Sequence, residues 1–445
     1  MPQVFPFRAV RYASGPDVSS LVAPPYDVLD AAGKQRLLDK NSKNIVAIDL
    51  PHTPAKELGP PQAYEKAAAA YRAWQSEGTL KRLDQPAIFA YRQTTKGHNG
   101  QVSQRCGMAC CVETVPFGPR QGGGILPHEE TFSGPKEDRF ALMKATKAQL
   151  SPIFGLHADE QGRASKFTRH VMATLPPDQI ADMGDGVTHE VWTIRDQGLI
   201  RQYQDALVGE DIFIADGHHR YTTGLNYLKL LESQGQVPQD HAARRCMMVL
   251  VGMSDPGLII WPTHRVLGGM KDYTLDAFQK AGSQDLRFEP FPGDLHTLET
   301  ALLKAPADRT VLGIYDFASK KGLLAMPLTP DPLKAKFPEK PQAWRTLDVA
   351  IIQHVIVESI CQPKLNGGQP VKWAFPHTIK EVLEIGEGTE TGAGGGKGFA
   401  QLAVIVRPTP LQAVKDVSRA NQLMPQKSTF FYPKLATGLF VNPLE

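Results

Sequence analysis

A short unbroken apolar run, residues 212–215, passes straight into Asp216-Gly217-His218-His219-Arg220 and then into Tyr221, Leu225, Leu228 and Leu231, spaced by four and three. The run reads as a buried strand, and the spacing after it as the stripe of an amphipathic helix. Strand, turn and helix here follow one another without a linker, which fixes the turn at the end of a sheet. Asp216 or Gly217 would cap the helix, so the N–H groups of residues 217–220 are the donors that lack intrahelical partners. Those donors suit a phosphate. Arg220 adds a planar, always-charged fork for two phosphate oxygens, and His218 and His219 add groups that donate protons near neutral pH. The plain alternative is an Asp-Gly turn punctuating strand and helix beside a solvated His pair. It leaves unexplained why one Asp, two His and one Arg share five positions.

Elsewhere the elements alternate in kind. Residues 22–29 form a proline-stiffened loop, residues 44–50 look like a buried strand, and the Ala-rich residues 63–77 have helical spacing. Residues 87–93 and 106–112 read as antiparallel strands joined by the polar linker 96–100. A helix over 138–148 and a strand over 153–157 follow, then a strand pair around 247–253 and 258–261. Beyond Gly268-Gly269, residues 348–361 carry apolar positions at helical spacing, 381–385 extend a short helix, and 399–406 read as a strand. The expected fold class is α+β: mixed sheets with flanking helices, divided into regions 1–268 and 269–445, the second closing over the site of the first. With 445 residues, 42% hydrophobic, the chain can bury two ordinary cores. There is no internal repeat and no heptad.

Net charge narrows the partners. With 49 basic and 46 acidic residues, the balance of +3 advertises neither a nucleic-acid nor a membrane surface. Five cysteines without CxxC spacing argue against a disulfide framework or a structural zinc site and read as core thiols. No segment approaches the roughly 20 apolar residues of a membrane span, so a cytoplasmic location is expected and a homodimer stays open. The Gly-rich residues 386–398 lack the ordered spacing of a phosphate-cradling loop and lead into a strand, which suits a hairpin loop.

Three further clusters could line a site with the turn. In His128-Glu129-Glu130-Thr131, followed by Asp138-Arg139, Glu129 is the preferred general base, because an attacking hydroxyl must lose its proton; a loop carboxylate paired with Arg139 or Lys136 is the competing reading. Thr263-His264-Arg265 closes an apolar strand, a usual place for ligand contacts, and a salt-bridged strand end fits equally. Residues 424–434 bring Lys427 or Lys434 to a phosphate and an aromatic ring to a base, or else form an aromatic latch on the second core.

Pro24-Pro25-Tyr26-Asp27-Val28, His128-Glu129, Thr131, Ala215-Asp216-Gly217-His218-His219-Arg220-Tyr221, Pro262-Thr263-His264-Arg265 and Met424-Pro425-Gln426-Lys427-Ser428-Thr429 resemble the signature of the uncharacterised bacterial and archaeal domain-of-unknown-function family 1015 over nearly the whole chain. The turn alone resembles the phosphate turn of the ParB/sulfiredoxin superfamily, whose members include kinases of free L-serine. This second resemblance implies a phosphate-binding core of that type, a nucleotide gripped at the turn and O-phosphoserine as product. The sulfiredoxin branch carries a Cys within the turn, where this chain has His218 and His219, so sulfinic-acid repair is not expected.

On that basis Gly217, His218, His219, Arg220 and Lys427 would hold ATP or ADP, and Asp216 would ligate a magnesium ion or act as a base. Glu129 would take the acceptor's proton, with Asp27 or Glu130 as substitutes, and Asp27, His128, Thr131, Arg139, His264 and Arg265 would surround the amino acid. Two other classes compete. A metal-dependent phosphohydrolase would use His128, Asp216, His218 and His219 as ligands, and a non-catalytic ParB-like module would bind nucleotide or DNA through a basic face that this composition does not supply.

Overall fold

Every residue of Ile212–Asp216 except Asp216 is buried, because both faces of this strand are covered. That is why its sequence is continuously apolar rather than alternating. The chain, seen in a computed structural model, is described over residues 3–55, 57–96, 101–129, 133–389 and 398–445. Glu130, Thr131, most of the polar linker 96–100 and most of the Gly-rich stretch 386–398 lie outside these residues. Two units emerge: one comprises Met1–Pro127, Thr131–Ile259 and Phe431–Glu445, the other His128–Glu130 and Ile260–Phe430. The units part at 259/260 rather than 268/269, and the C-terminal segment returns to the first.

The first unit is built on a sheet of nine strands among the described residues, ordered Ile125–Leu126, Ile212–Asp216, Ile153–His157, Arg245–Gly252, Val102–Glu113, Ile88–Lys96, Val187–Ile194 and Gln179–Asp182, with Val4–Phe5 also paired to Val102–Glu113. Pairing is mixed: Ile212–Asp216 runs antiparallel to Ile153–His157, which runs parallel to Arg245–Gly252. The two-residue period of a strand sends Cys106, Met108, Cys110 and Val112, with Ile212, Ile214, Met248 and Leu250, into one core. Helices Arg163–Thr174 and Gln197–Ala206 cover it with Phe167, Val171, Ile200 and Tyr203. All five cysteines are buried and free, as core thiols should be.

In the second unit a six-stranded antiparallel sheet, ordered Leu286–Phe291, Gly322–Pro327, Leu312–Asp316, Ala400–Ile405, Arg265–Gly268 and Lys372–Ala374, divides two cores. Leu267, Leu402 and Val404 point to one side, and Val266, Ala403 and Ile405 to the other. A mixed sheet in the first unit and an antiparallel one in the second, each with flanking helices, make the chain α+β.

Three elements differ from the sequence reading. Residues 44–50 contain the short helix Val46–Asp49 and not a strand. The strands Arg245–Gly252 and Ile259–Trp261 are not partners of each other; Arg245–Gly252 pairs with Val102–Glu113 and Ile153–His157. Helix 348–361 begins as α over Asp348–Ile351 and continues as a π-helical run over Ile352–Cys361. No described helix is long and apolar enough to cross a membrane.

Candidate functional site

Between Ile214 and Asp216 the ladder to Ile153–His157 shifts register, so that Asp216 faces Phe154. Such a bulge ends the pairing and re-aims the next side chain. Gly217 then takes φ +93° and caps the helix His218–Gln234. An added Cβ there would lie 3.0 Å from Arg220 Nε and 3.1 Å from Cζ. Gly217→Ala is therefore expected to cost about 1–3 kcal/mol through the left-handed backbone and to push the Arg220 guanidinium aside; thermal unfolding would measure the first effect. The helix packs close to the sheet: Tyr221, fully buried, donates its hydroxyl to Val115 O at 2.6 Å and accepts from Val115 N at 3.0 Å.

Arg220 is 9% exposed. It donates through NH1 to Pro152 O and through NH2 to Asp216 Oδ2 at 3.3 Å. Lys434 Nζ stands 3.4 Å from the same carboxylate oxygen. Burial alone would raise the Asp216 carboxyl, but Lys434, Arg220 and His218 outweigh it and hold the group well below the usual carboxylate range. Burial likewise disfavours the Arg220 charge, and Asp216 and then Asp27 more than restore it. Asp27 itself is exposed, at the 3-10 turn Tyr26–Val28. The turn thus joins the first unit's Tyr26-Asp27 motif to the residues 216–221, as one charged cluster.

Magnesium fits poorly as a partner of Asp216. Its Oδ2 faces two cations and its Oδ1 accepts from Gly217 N at 2.9 Å, so the surroundings favour an anion over a dication. Among the described residues no group of three His, Cys, Asp or Glu is placed to hold a metal ion.

Arg139 is engaged by neighbouring groups of the first unit. Its Nε and NH2 reach Asp138 Oδ2 at 2.7 and 2.5 Å, its NH1 reaches Asp49 O at 2.6 Å, and the guanidinium lies 4.0 Å over the Tyr26 ring. Together with Arg220, Tyr26, Asp49 and Ser151 it lines a cavity of about 40 Å³. That is room for about two or three waters.

In the second unit three motifs converge. Glu129 Oε1 accepts from Ser428 N at 3.0 Å and Thr429 N at 3.1 Å, and His128 Nε2 lies 2.8 Å from Thr429 Oγ1. Arg265, 2% exposed, donates to Lys427 O at 3.0 Å and to Thr263 O. Burial draws the Arg265 guanidinium down to about 10, with Glu129 acting against it. His264 is fully buried and accepts from Val406 N at 3.2 Å. Lys427 has an exposed side chain and φ +59°. These contacts tie His128, Glu129 and Arg265 to the loop 424–429, while His264 holds Val406. Of the two lysines singled out in the C-terminal segment, Lys434 belongs to the first unit and meets the turn.

Sequence reasoning missed Arg105, whose guanidinium is buried in the first unit. The signal available was a lone cation entering an apolar strand.

The family model described as "Protein of unknown function (DUF1015)" matches residues 4–350. No curated protein matches the chain. Solved structures similar to it include a conserved hypothetical protein from Pyrococcus furiosus, at 12% identity over 74% of this chain and 98% of that one, with a TM-score of 0.33. A free serine kinase in complex with AMP is similar at 10% identity over 73% and 95%, with a TM-score of 0.34. SbnI with C-terminal truncation from Staphylococcus aureus is similar at 10% identity over 76% and 87%, with a TM-score of 0.33.

Proposed function

The chain belongs to the DUF1015 family of proteins of unknown function, and we propose from its strand-to-helix turn that it is a phosphotransferase carrying phosphate from ATP or ADP to a small hydroxyl-bearing amino acid, free L-serine first. One observation carries this reading: at the N-terminal end of a 17-residue helix, the single carboxylate of the turn is faced by Arg220 at 3.3 Å and Lys434 at 3.4 Å. The helix end adds its own positive potential, and its first amides are donors that a phosphate can satisfy.

Phosphoryl transfer asks a protein mainly for positioning and for stabilisation of charge on the phosphoryl oxygens. The first turn of His218–Gln234 and Lys434 would hold the nucleotide's phosphates. Arg220, oriented by Pro152 O and Asp216, would steady the charge that develops, and His218 or His219 would donate to the phosphoryl group. Magnesium carried by the nucleotide would supply further neutralisation of phosphate charge, and Asp216, faced by Arg220 and Lys434, does not suit it as a ligand. Asp27, exposed and in the field of Arg220, is a carboxylate of the first unit suited to accept the acceptor's proton.

Protein incubated with labelled ATP or ADP and a panel of free amino acids is expected to yield labelled O-phosphoserine, read by mass spectrometry. A panel that stays unlabelled with both nucleotides would sink the reading. For the base, Asp27→Asn is expected to lower kcat by about a hundredfold or more and Glu129→Gln by much less; the reverse order moves that role to Glu129.

A further inference from the structure

Arg105 enters the sheet of the first unit at a position where its neighbours Cys106 and Met108 are core residues, and it is 2% exposed. Its side chain reaches two acceptors, Gln93 Oε1, at 3.1 Å from Nε and also from NH2, and Pro433 O from NH2. The third nitrogen, NH1, is buried with no hydrogen-bond partner. Two independent links place the guanidinium at the turn. It stacks 4.4 Å over the Phe154 ring, and Phe154 is the ladder partner of Asp216. Pro433, which it bonds, precedes Lys434, whose ammonium faces Asp216.

Arg105, Arg220 and Lys434 act on one largely buried carboxylate, Asp216. Asp255, which also acts on Arg105, is paired with Arg169 at 2.6 Å, while Arg139 is shared between Asp49 and Asp138, the latter also 2.6 Å from His52 Nε2. Asp27, the remaining acid acting on Arg220, is exposed. Burial pulls the Arg105 guanidinium down to about 10, with Tyr91, Asp255 and Asp216 acting against it. A buried cation with a donor left unmade costs stability, and a fold keeps such a group when something outside the fold uses it.

We propose that Arg105 is a binding residue of the same site, its NH1 donating to a bound polyphosphate anion beside Arg220 and Lys434. This rests on the reading of the turn as an anion grip. The ligand class it implies is one with adjacent phosphoryl groups, as in ADP and inorganic pyrophosphate, because three cations that share the one carboxylate Asp216 can meet the oxygens of two neighbouring phosphates.

The test is calorimetric titration of the full chain with ADP and with inorganic pyrophosphate, for wild type, Arg105→Met and Arg105→Lys, with Tm measured for each protein alone. Arg105→Met is expected to bind both anions at least tenfold more weakly and to stay folded, with a ligand-free Tm a few degrees lower because Gln93 Oε1 and Pro433 O lose their donor. Arg105→Lys, which keeps the charge and loses the fork, is expected to lie between them. A folded Arg105→Met that binds as the wild type does overturns this inference alone. Wild-type protein that binds neither anion overturns the anion-grip reading and this inference with it. Failure of both variants to fold also overturns it, because the guanidinium would then serve the structure only.

Discussion

Arg220→Ala is expected to lower the rate of phosphoryl transfer about a thousandfold, the lower end of what a charge-stabilising arginine contributes to this chemistry. The substitution removes the only group of the turn that can bridge two phosphate oxygens at once. It also touches the fold, because Arg220 is 9% exposed and donates to Pro152 O and Asp216. Leaving a buried carbonyl without its donor costs about 1–3 kcal/mol, which for a domain of this size lowers Tm by roughly 2–10 °C. The two effects separate by measurement. Activity is followed with labelled nucleotide at a temperature well below the variant's Tm, and the thermal transition is followed by circular dichroism. Arg220→Lys retains a cation near Asp216 and so should recover most of the stability, while still losing the two-pronged contact and running about tenfold to a hundredfold slow. Wild-type turnover in folded Arg220→Ala would reject the scheme, since no other residue of the turn supplies a fixed positive charge.

The strand-to-helix turn was legible in the sequence because the hydrophobic period changes there, from an unbroken run at residues 212–215 to spacings of three and four at Tyr221, Leu225 and Leu228. A local signal sufficed for a local structure. Residues 44–50 show where that fails: Ile45, Val46, Ile48 and Leu50 are all buried, so a fully covered short helix presents the same apolar density as a fully covered strand. The discriminating feature was Asn44, whose Oδ1 accepts from Val46 N at 3.0 Å and starts the helical turn. The partners of the site residues were less legible, because they are set by register and by long returns of the chain. Arg105 meets Gln93 because they are opposite one another across the ladder, which is known only once the strands are aligned. Lys434 meets Asp216 across 218 positions of sequence. Glu129 had the charge and the neighbouring His of a general base, but its carboxylate also matches two consecutive backbone amides, those of Ser428 and Thr429, and sequence alone does not rank the two uses.

Asp216→Asn is expected to lower stability near neutral pH by about 3 kcal/mol, the lower end for breaking a buried ion pair, because an amide keeps some of the hydrogen bonds while leaving Arg220 and Lys434 without their counter-charge. The side chains involved are 18%, 9% and 19% exposed for Asp216, Arg220 and Lys434, so solvent screens the loss only in part. A pH series tells charge from packing. The folded carboxyl is held below its ordinary value of 3.8, which burial would raise but Lys434, Arg220 and His218 depress. Between the two values the unfolded chain binds a proton that the folded chain refuses, so this contribution is whole above the ordinary value and is lost as pH falls through the folded one. The asparagine variant has no such proton to bind. The stability gap between wild type and variant, measured by denaturant unfolding, should therefore be constant from about pH 7 to pH 5 and narrow by about 1 kcal/mol at pH 3. A gap that does not narrow would place the loss in packing and hydrogen bonding, and the positive field at the turn would then lack the counter-ion that keeps it in place when no phosphate is bound.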